Sequence, residues 1–373
     1  MKILYIFSFR SNLKTWKSSG ALNREFLYFK KFYENYKTKH LLFTYGGFED
    51  LDIVKDKNLT VYPLFAFFKF TNNKFKTFFL SLIYPFKTRK NFIDIYIIKV
   101  NQLSGVLVGT IFSIILKKPL YVRTGYDAYL FSVNDKKNIF KRIYFLLLTQ
   151  ISLIACDIYS VTSQSDYKYI KNTYFFNSKK LILRPNWVLN SESEDIKIRK
   201  KDCILSVGRL EPQKNYHYLI NEVADTGFKL KIIGSGSLKA ELLSLAKEKK
   251  LDLEISERVT YEELGNIYKK YAYFILPSVY EGNPKVLLEA MSNGCIVLAS
   301  NIDNHNELIK NNKNGILFNL EKGSLKKELE RINESEHLLG EISASAIQTS
   351  REHFSIINAM KMEKKDFTSL LNY

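Results

Sequence analysis

The chain has 373 residues, of which 46% are hydrophobic and 25% charged, and its formal net charge is +18. This composition is that of a globular protein and excludes a low-complexity chain, while the length favours two domains over one. The longest apolar stretches, 106–116 and 143–156, are shorter than a membrane span, and the apolar start at 1–9 is too short for a signal peptide. We therefore expect the protein to be made and kept in the cytoplasm.

The three cysteines, Cys156, Cys203 and Cys295, lie far apart in the chain, each at or beside a predicted strand. Three widely spaced cysteines do not make a disulfide framework. We therefore expect reduced thiols in a protein core, as is usual in a cytosol.

The positive charge is concentrated in the first half of the chain. Residues 1–185 hold 30 lysine and arginine residues against 11 acidic ones, whereas residues 186–373 hold 26 against 27. The basic density peaks in 65–92, where six cations alternate with phenylalanine and tyrosine and no acidic residue occurs. The six cations are Lys69, Lys74, Lys76, Lys87, Arg89 and Lys90.

Aromatic and cationic side chains together favour an anionic membrane surface, where rings lie among the headgroups and cations meet phosphate. We expect the six cations to make this contact. Two other interpretations of the stretch 65–92 remain open: a nucleic-acid surface, and a core helix with a solvated basic face.

The first half of the chain alternates apolar runs of strand length with helical patterns. An apolar strand at 2–7 is followed by a polar loop and by a helix that begins near Gly20. Further strands are predicted at 41–44, 93–98 and 119–123, and a strand leading into a helix at 156–170. This alternation predicts an open α/β sheet.

The second half restarts the same alternation after a polar, charge-dense segment typical of an interdomain linker. Strands are predicted at 203–207, 229–233, 273–276 and 295–299, with helices beginning at Asn215 and Ser237, a helix at 261–271, and helices throughout after 325. The sequence thus predicts two tandem Rossmann-like, doubly wound domains. The proposed boundaries are 1–185 for the first domain, 186–201 for the linker, 202–350 for the second domain and 351–373 for a C-terminal helix.

A single carboxylate interrupts the apolar helix in VYEGNPKVLLEAMSNG, residues 279–294. Asn283 suits the helix cap, Pro284 the first helical position and Gly294 the exit. Because unbroken apolar strands flank this helix, it is expected to face protein on most sides, and Glu289 needs a hydrogen-bonding partner.

Three loops of the second half follow predicted strands and should share one crevice, because ligands of doubly wound sheets bind at the carboxyl ends of the strands. The loop GRLEPQKN offers Gly208, Arg209 and Lys214, which suit a diphosphate. The loop GSGS places Gly234 and Gly236 before a helix, where amides can receive an anion. The third loop, PSVYEGNPK, adds the carboxylate of Glu281, Gly282, and Lys285 in a first helical turn. Together the loops describe a nucleotide-sugar site, in which ribose hydroxyls could donate to Glu289.

These motifs resemble those of retaining glycosyltransferases of the GT-B fold, family 4 in particular. The resemblance runs over about 110 residues, from SVGRLEPQKN through IIGSGSLKAEL and LPSVYEGNPKVLLEAMSNGCIVLAS to HNELI, and includes the two glutamates eight positions apart. It implies that Arg209 and Lys214 hold the donor diphosphate, Glu289 the ribose and Glu281 the sugar hydroxyls. Backbone amides near Asn283, Pro284, Lys285 and Val286 would also line the site, although proline itself offers none.

The first half departs from that family pattern. Many relatives carry a glycine pair after the first strand, where this chain has SSGA with only Gly20. Many carry a histidine after a central strand, where YVRTGYDAYLF offers Arg123, Gly125, Tyr126 and Asp127. The arrangement resembles a variant of bacterial polysaccharide enzymes. Asp127 could contact the sugar or accept the acceptor's proton, or it could simply cap a turn.

The resemblance implies transfer of a sugar with retention of anomeric configuration and without a metal or other cofactor. Five scattered histidines make no ligand cluster, and Asp50 and Asp52, the one Asp-x-Asp pattern, lie in a predicted polar loop. The resemblance further implies that the two domains face each other across a cleft, that the first binds the acceptor and the second the nucleotide-sugar, and that the C-terminal helix 351–373 crosses back to the first domain. The expected partners are a UDP-sugar or related donor, an anionic lipid-linked, lipopolysaccharide or polysaccharide acceptor, and the inner membrane surface, but no nucleic acid. Two alternatives remain: a nucleotide-sugar 2-epimerase of the same fold, and a non-catalytic basic protein that binds nucleic acid.

Overall fold

The computed structural model describes residues 1–189, 196–333 and 336–371. The chain forms two compact units, one of residues 1–184 with 360–373 and the other of residues 185–359. Each unit contains one wholly parallel sheet with helices between successive strands, which confirms the predicted α/β class. Among the described residues no helix combines the length and apolarity that a membrane crossing requires.

The first unit is built on seven strands in the spatial order β3-β2-β1-β4-β5-β6-β7. The strands are β1 (Lys2–Ile6), β2 (Lys39–Thr44), β3 (Leu59–Pro63), β4 (Ile97–Asn101), β5 (Leu120–Arg123), β6 (Ile158–Val161) and β7 (Leu181–Leu183). The helices are α1 (Leu13–Ser18), α2 (Ala21–Tyr36), α3 (Glu49–Ile53), α4 (Leu64–Phe67), α5 (Lys74–Thr88), α6 (Val106–Leu116), α7 (Ala128–Asn134), α8 (Ile139–Ala155) and α9 (Gln164–Thr173). The apolar strands are buried on both faces, as a parallel sheet covered by helices requires.

The second unit has six strands in the spatial order β10-β9-β8-β11-β12-β13. The strands are β8 (Lys200–Val207), β9 (Lys229–Ile233), β10 (Leu253–Ser256), β11 (Tyr271–Leu276), β12 (Ile296–Ser300) and β13 (Ile316–Phe318). The helices are α10 (Tyr216–Val223), α11 (Lys239–Glu248), α12 (Tyr261–Lys270), α13 (Lys285–Ser292), α14 (Asp303–Asn306), α15 (Ser324–Asn333), α16 (Glu336–His353) and α17 (Ile356–Leu371). All six residues of β11 are buried, so the central strand of this sheet lies in the core.

The last part of α17 belongs to the first unit. There Lys99 on β4 forms a buried ion pair with Glu363, Nζ to Oε1 2.5 Å, and Tyr28 donates a hydrogen bond to the same carboxylate at 2.7 Å. Arg184 pairs with Asp366 through two nitrogens. These contacts fix the C-terminal helix by charges that are nearly removed from solvent.

Several sequence-based boundaries were wrong or incomplete. The strand expected at 93–98 runs instead over 97–101, because Ile93, Asp94 and Tyr96 are exposed where the chain leaves a single helical turn. Strands β3 and β10 and helix α1 were not anticipated. Of the expected linker, Val188 exchanges backbone hydrogen bonds with Phe354 and Ile356, while 190–195 lie outside the described residues.

Candidate active site

The three loops singled out in the sequence follow β8, β9 and β11, which are neighbours in the second sheet. Parallel strands end at the same edge, so their loops lie side by side there. Backbone hydrogen bonds join them: Leu210 donates to Ser235 at 3.0 Å, and Val279 donates to Gln213 at 2.9 Å. The structure therefore brings these loops together in one site.

A buried ion pair connects the first and third loops. Lys214 Nζ contacts Glu281 Oε1, and the two side chains are only 10% and 9% exposed. Lys214 ends a single helical turn, Pro212–Lys214, in the loop after β8, whereas Glu281 lies in the loop after β11. A cation and a carboxylate are thus held together at low exposure, where electrostatic interactions are stronger than in water.

Gln213 extends this pair into a short network that the sequence did not reveal. Its Nε2 donates to the Tyr280 carbonyl at 2.8 Å and approaches Glu281 Oε2 at 3.5 Å, while its Oε1 accepts from Arg209 Nη2 at 3.0 Å. Arg209 is exposed, so its remaining donors can reach a ligand. A neutral amide between charged neighbours carries no sequence signal of its own, which is why Gln213 was missed.

The glycines of these loops permit close approach of two backbones. A Cβ on Gly234 would lie 1.8 Å from the Gly208 carbonyl oxygen, and a Cβ on Gly236 would lie 2.4 Å from the Leu210 carbonyl oxygen. A Cβ on Gly208 would meet the Tyr216 hydroxyl at 2.9 Å. Packing alone therefore explains why side chains are excluded here, whatever anion the loop receives.

A carboxylate of the first loop, that of Glu211, is hydrogen-bonded to the second loop. Glu211 accepts hydrogen bonds from the Ser237 amide at 3.4 Å and from its hydroxyl at 3.2 Å. The anticipated helix from Ser237 starts at Lys239. Glu211 thus occupies a position near a helix start where an anion is favoured.

The helix after the third loop differs in its cap from the expectation. It begins at Lys285 with Pro284 as the flanking residue, and the Asn283 side chain accepts from the Asn186 amide at 3.2 Å instead of capping the helix. Asn186 Nδ2 also donates to the Asn283 carbonyl at 2.7 Å. Gly294 has a φ of +76°, as the predicted helix exit requires.

Glu289 has a protein partner. Its carboxylate is buried on α13, and Oε2 accepts a hydrogen bond from the Tyr268 hydroxyl at 3.4 Å. Burial, reinforced by the negative charge of Glu289, raises the pKa of Tyr268, so this hydroxyl keeps its proton.

A buried histidine, also missed from the sequence, lies behind this site. The ring nitrogen Nδ1 of His305 is 2.8 Å from the Ser300 carbonyl, and Ser300 donates its hydroxyl proton to the Ser278 carbonyl at 2.5 Å. Burial lowers the pKa of His305 to about 4, against the opposing influence of nearby Glu281. The imidazole is therefore neutral at physiological pH. Among the described residues Nε2 of His305 has no hydrogen-bond partner.

In the first unit the structure places Asp127 as a helix cap. One oxygen accepts from the Leu130 amide at 2.7 Å, the other accepts from the Tyr174 hydroxyl at 3.0 Å, and burial raises the pKa of the carboxyl. Its catalytic role stays a prediction. Arg123 ends β5, and Tyr126 stacks on Phe131 with ring centroids 4.1 Å apart.

Two further first-unit residues of the sequence analysis have defined positions. Gly20 precedes α2 with a φ of +73°, a conformation that favours glycine. Asp50 is buried and accepts hydrogen bonds from the Thr44 hydroxyl at 2.5 Å and the Leu13 amide at 3.1 Å. These contacts give Asp50 a structural role in helix α3, which replaces the polar loop that the sequence predicted for Asp50 and Asp52.

Two parallel-sheet units, the second carrying a cation and carboxylate network at its strand ends, define a GT-B fold. HepE from Anabaena, solved in complex with UDP and glucose, has this architecture with a TM-score of 0.77 and 15% identity, covering 99% of this chain and 100% of that chain. Residues 190–353 match the model of the family described as glycosyl transferases group 1.

Two curated relatives come from Campylobacter jejuni. The GalNAc-alpha-(1->4)-GalNAc-alpha-(1->3)-diNAcBac-PP-undecaprenol alpha-1,4-N-acetyl-D-galactosaminyltransferase is 29% identical over 55% of this chain and 58% of its own length. The N-acetylgalactosamine-N,N'-diacetylbacillosaminyl-diphospho-undecaprenol 4-alpha-N-acetylgalactosaminyltransferase is 41% identical over 29% of this chain and 30% of its own. The matches therefore span about half or less of these relatives.

Proposed function

We propose that the chain is a glycosyltransferase that moves a sugar from a nucleotide-sugar, most simply a UDP-sugar, to a lipid-linked or polysaccharide acceptor. The observation that carries the proposal is the buried Lys214 and Glu281 pair at the strand ends of the second sheet, with Arg209 joined to it through Gln213. Cations suit a donor diphosphate, and a carboxylate suits sugar hydroxyls. The family match of this unit and the UDP complex of HepE support the choice of donor.

The roles of the residues follow from where charge develops. As the bond between sugar and diphosphate breaks, negative charge grows on the leaving diphosphate, and Arg209 and Lys214 stabilise it without a metal ion. Glu281 orients the sugar hydroxyls. Glu289 receives the ribose hydroxyls of the donor. The amides of Gly282 and of the start of α13, at Lys285 and Val286, complete the donor site, and the product retains the anomeric configuration.

The acceptor is proposed from charge and from the relatives. Both Campylobacter enzymes are named for substrates linked to undecaprenol through a diphosphate. The six cations of the stretch 65–92 are all exposed on α5 and its flanks, where they can meet an anionic membrane. We place the protein at the inner face of the plasma membrane, with the acceptor embedded there.

The test of the activity is nucleotide release from UDP-, GDP- and ADP-sugars, with and without bacterial lipid extract. Wild type should release nucleotide from one donor, lipid should stimulate release, and Glu289→Ala should abolish it. Product analysis without an acceptor identifies an epimerase instead. Absence of release from every donor, with any acceptor, would contradict the proposed function.

The test of the membrane location is cosedimentation with anionic vesicles. Neutralising Lys69, Lys74, Lys76, Lys87, Arg89 and Lys90 to glutamine should weaken binding, most strongly at low salt, because surface charges act over about 10 Å at 0.1 M ionic strength. Equal sedimentation of the variant and wild type would refute the electrostatic contact.

A further inference from the structure

Two helices of the first unit bury hydroxyl side chains and expose large apolar ones. On α5 the buried side includes Thr77, Ser81 and Thr88, and on α8 it includes Thr149 and Ser152. Most of these hydroxyls donate to carbonyls of their own helix, for example Thr88 to Tyr84 at 2.8 Å and Ser152 to Leu148 at 2.7 Å. Hydroxyls satisfied in this way can be buried without an external partner. Burying these polar groups leaves large apolar residues on the outside.

The outward side of α8 is a continuous apolar stripe. Its members recur every three or four residues along the helix, which places them on one face. They are Phe140, Ile143, Tyr144, Leu147, Ile151 and Ile154, all exposed. Phe140 is 81% exposed, so it makes almost no contact with the protein. Scattered exposed apolar residues are ordinary, but a contiguous stripe marks an interaction surface.

Helices near α8 also expose apolar side chains. Helix α6 contacts both α5 and α8 and exposes Ile114. Helix α5 adds Phe75, Phe79 and Phe86, all exposed. The first unit thus carries three adjoining helices with apolar side chains directed to solvent.

The charges around α8 indicate what binds to this surface. Exposed Lys136, Lys137 and Lys141 lie before and within its first turn, and no acidic residue occurs from 136 to 156. Lys137 also pairs with the exposed Asp135 at 3.5 Å. Cations beside an apolar stripe complement anionic headgroups above an acyl layer. A protein partner would need a complementary apolar face, and the lysines beside the stripe do not indicate such a partner.

We propose that the apolar stripe of α8 inserts into the acyl boundary of an anionic membrane, with the lysines at its start on the headgroup phosphates. This inference rests on the proposed function, since it specifies how the enzyme reaches a membrane-embedded acceptor. It differs from contact by the stretch 65–92 alone, because insertion of apolar side chains resists salt whereas contact between exposed charges does not.

The experiment compares full-length wild type with the triple variant Phe140→Gln, Leu147→Gln and Ile151→Gln. Vesicles of phosphatidylglycerol and phosphatidylethanolamine are sedimented at about 0.1 M salt, where surface charges still act, and at about 0.5 M salt, where they are largely screened. We expect the variant to partition about 100-fold more weakly, from three large apolar side chains that no longer insert. The loss should appear at both salt concentrations.

Leu243→Gln, at an exposed apolar position on α11 of the second unit, is the matched control and should bind as wild type does. Circular dichroism checks that the triple variant is folded. Nucleotide release with a detergent-solubilised acceptor separates the two proposals. The triple variant should retain this activity. If wild type lacks the activity, the proposed function fails, while vesicle binding still tests membrane insertion. The inference would be overturned if the triple variant partitioned as wild type does. It would also be overturned if wild type formed a stable dimer that does not bind vesicles and that the triple substitution breaks.

Discussion

Replacing Glu281 by glutamine removes the charge that compensates Lys214 where the two side chains are only 10% and 9% exposed. Breaking a buried ion pair from one side costs about 3–5 kcal/mol, because the remaining charge is left without compensation. Lys214→Met should cost less, since Glu281 keeps the 3.5 Å approach of Gln213 Nε2. The double variant should cost less than the sum of the single ones, with a coupling free energy of about 2 kcal/mol.

The assay is urea unfolding followed by tryptophan fluorescence. The chain has two tryptophans, Trp16 in the first unit and Trp187 in the second, so a Trp16→Phe background makes Trp187 the reporter of the second unit. The four proteins of the cycle are compared at pH 7 in this background. Single variants that each cost below about 1 kcal/mol and add without coupling would show that the pair behaves as a solvated surface pair, and the reasoning from burial would be wrong.

Three further predictions use the same unit. Arg209→Ala should lower kcat about 100-fold while leaving donor affinity nearly unchanged, and a change in affinity alone would assign Arg209 to binding. Gly234→Ala should destabilise the second unit by about 3 kcal/mol, because its Cβ would lie 1.8 Å from the Gly208 carbonyl oxygen, whereas Gly265→Ala, with open space around it, should not; equal unfolding midpoints would contradict this. Because the folded state holds the pKa of His305 at about 4 against an ordinary 6.5, stability should fall by about 3 kcal/mol as pH drops from 6.5 through 4, and His305→Gln should flatten that dependence.

The sequence predicted the site better than it predicted the contacts within the site. Parallel strands bring their following loops to one edge, so Gly208, Lys214 and Glu281 could be placed together from strand order alone. The partner of each polar group could not be placed, because Gln213 with Tyr280 and Asn283 with Asn186 join positions far apart in the chain. Such pairs depend on loop conformations that no local pattern specifies.

Which sides of α5 and α8 are buried could also not be predicted from the sequence. Amphipathic reasoning assumes that apolar residues point inward, and both helices break that assumption by burying hydroxyls such as Ser81 and Ser152. The sequence of the stretch 65–92 therefore did not indicate which of its side chains are exposed. Only the packing direction shows that the rings of Phe75 and Phe79 are exposed.

The attachment of α17 has a consequence for the order of biosynthesis. Lys99 is buried in the first unit, yet Glu363, its counter-charge, is translated 264 residues later, after the whole of the second unit. The first unit therefore emerges from the ribosome with an uncompensated cation in its interior, and it cannot reach its final stability until Glu363 has been synthesised. The first unit, although it begins the chain, is completed after the second one. A nascent chain that stalls in the second unit therefore leaves the first one vulnerable to proteases.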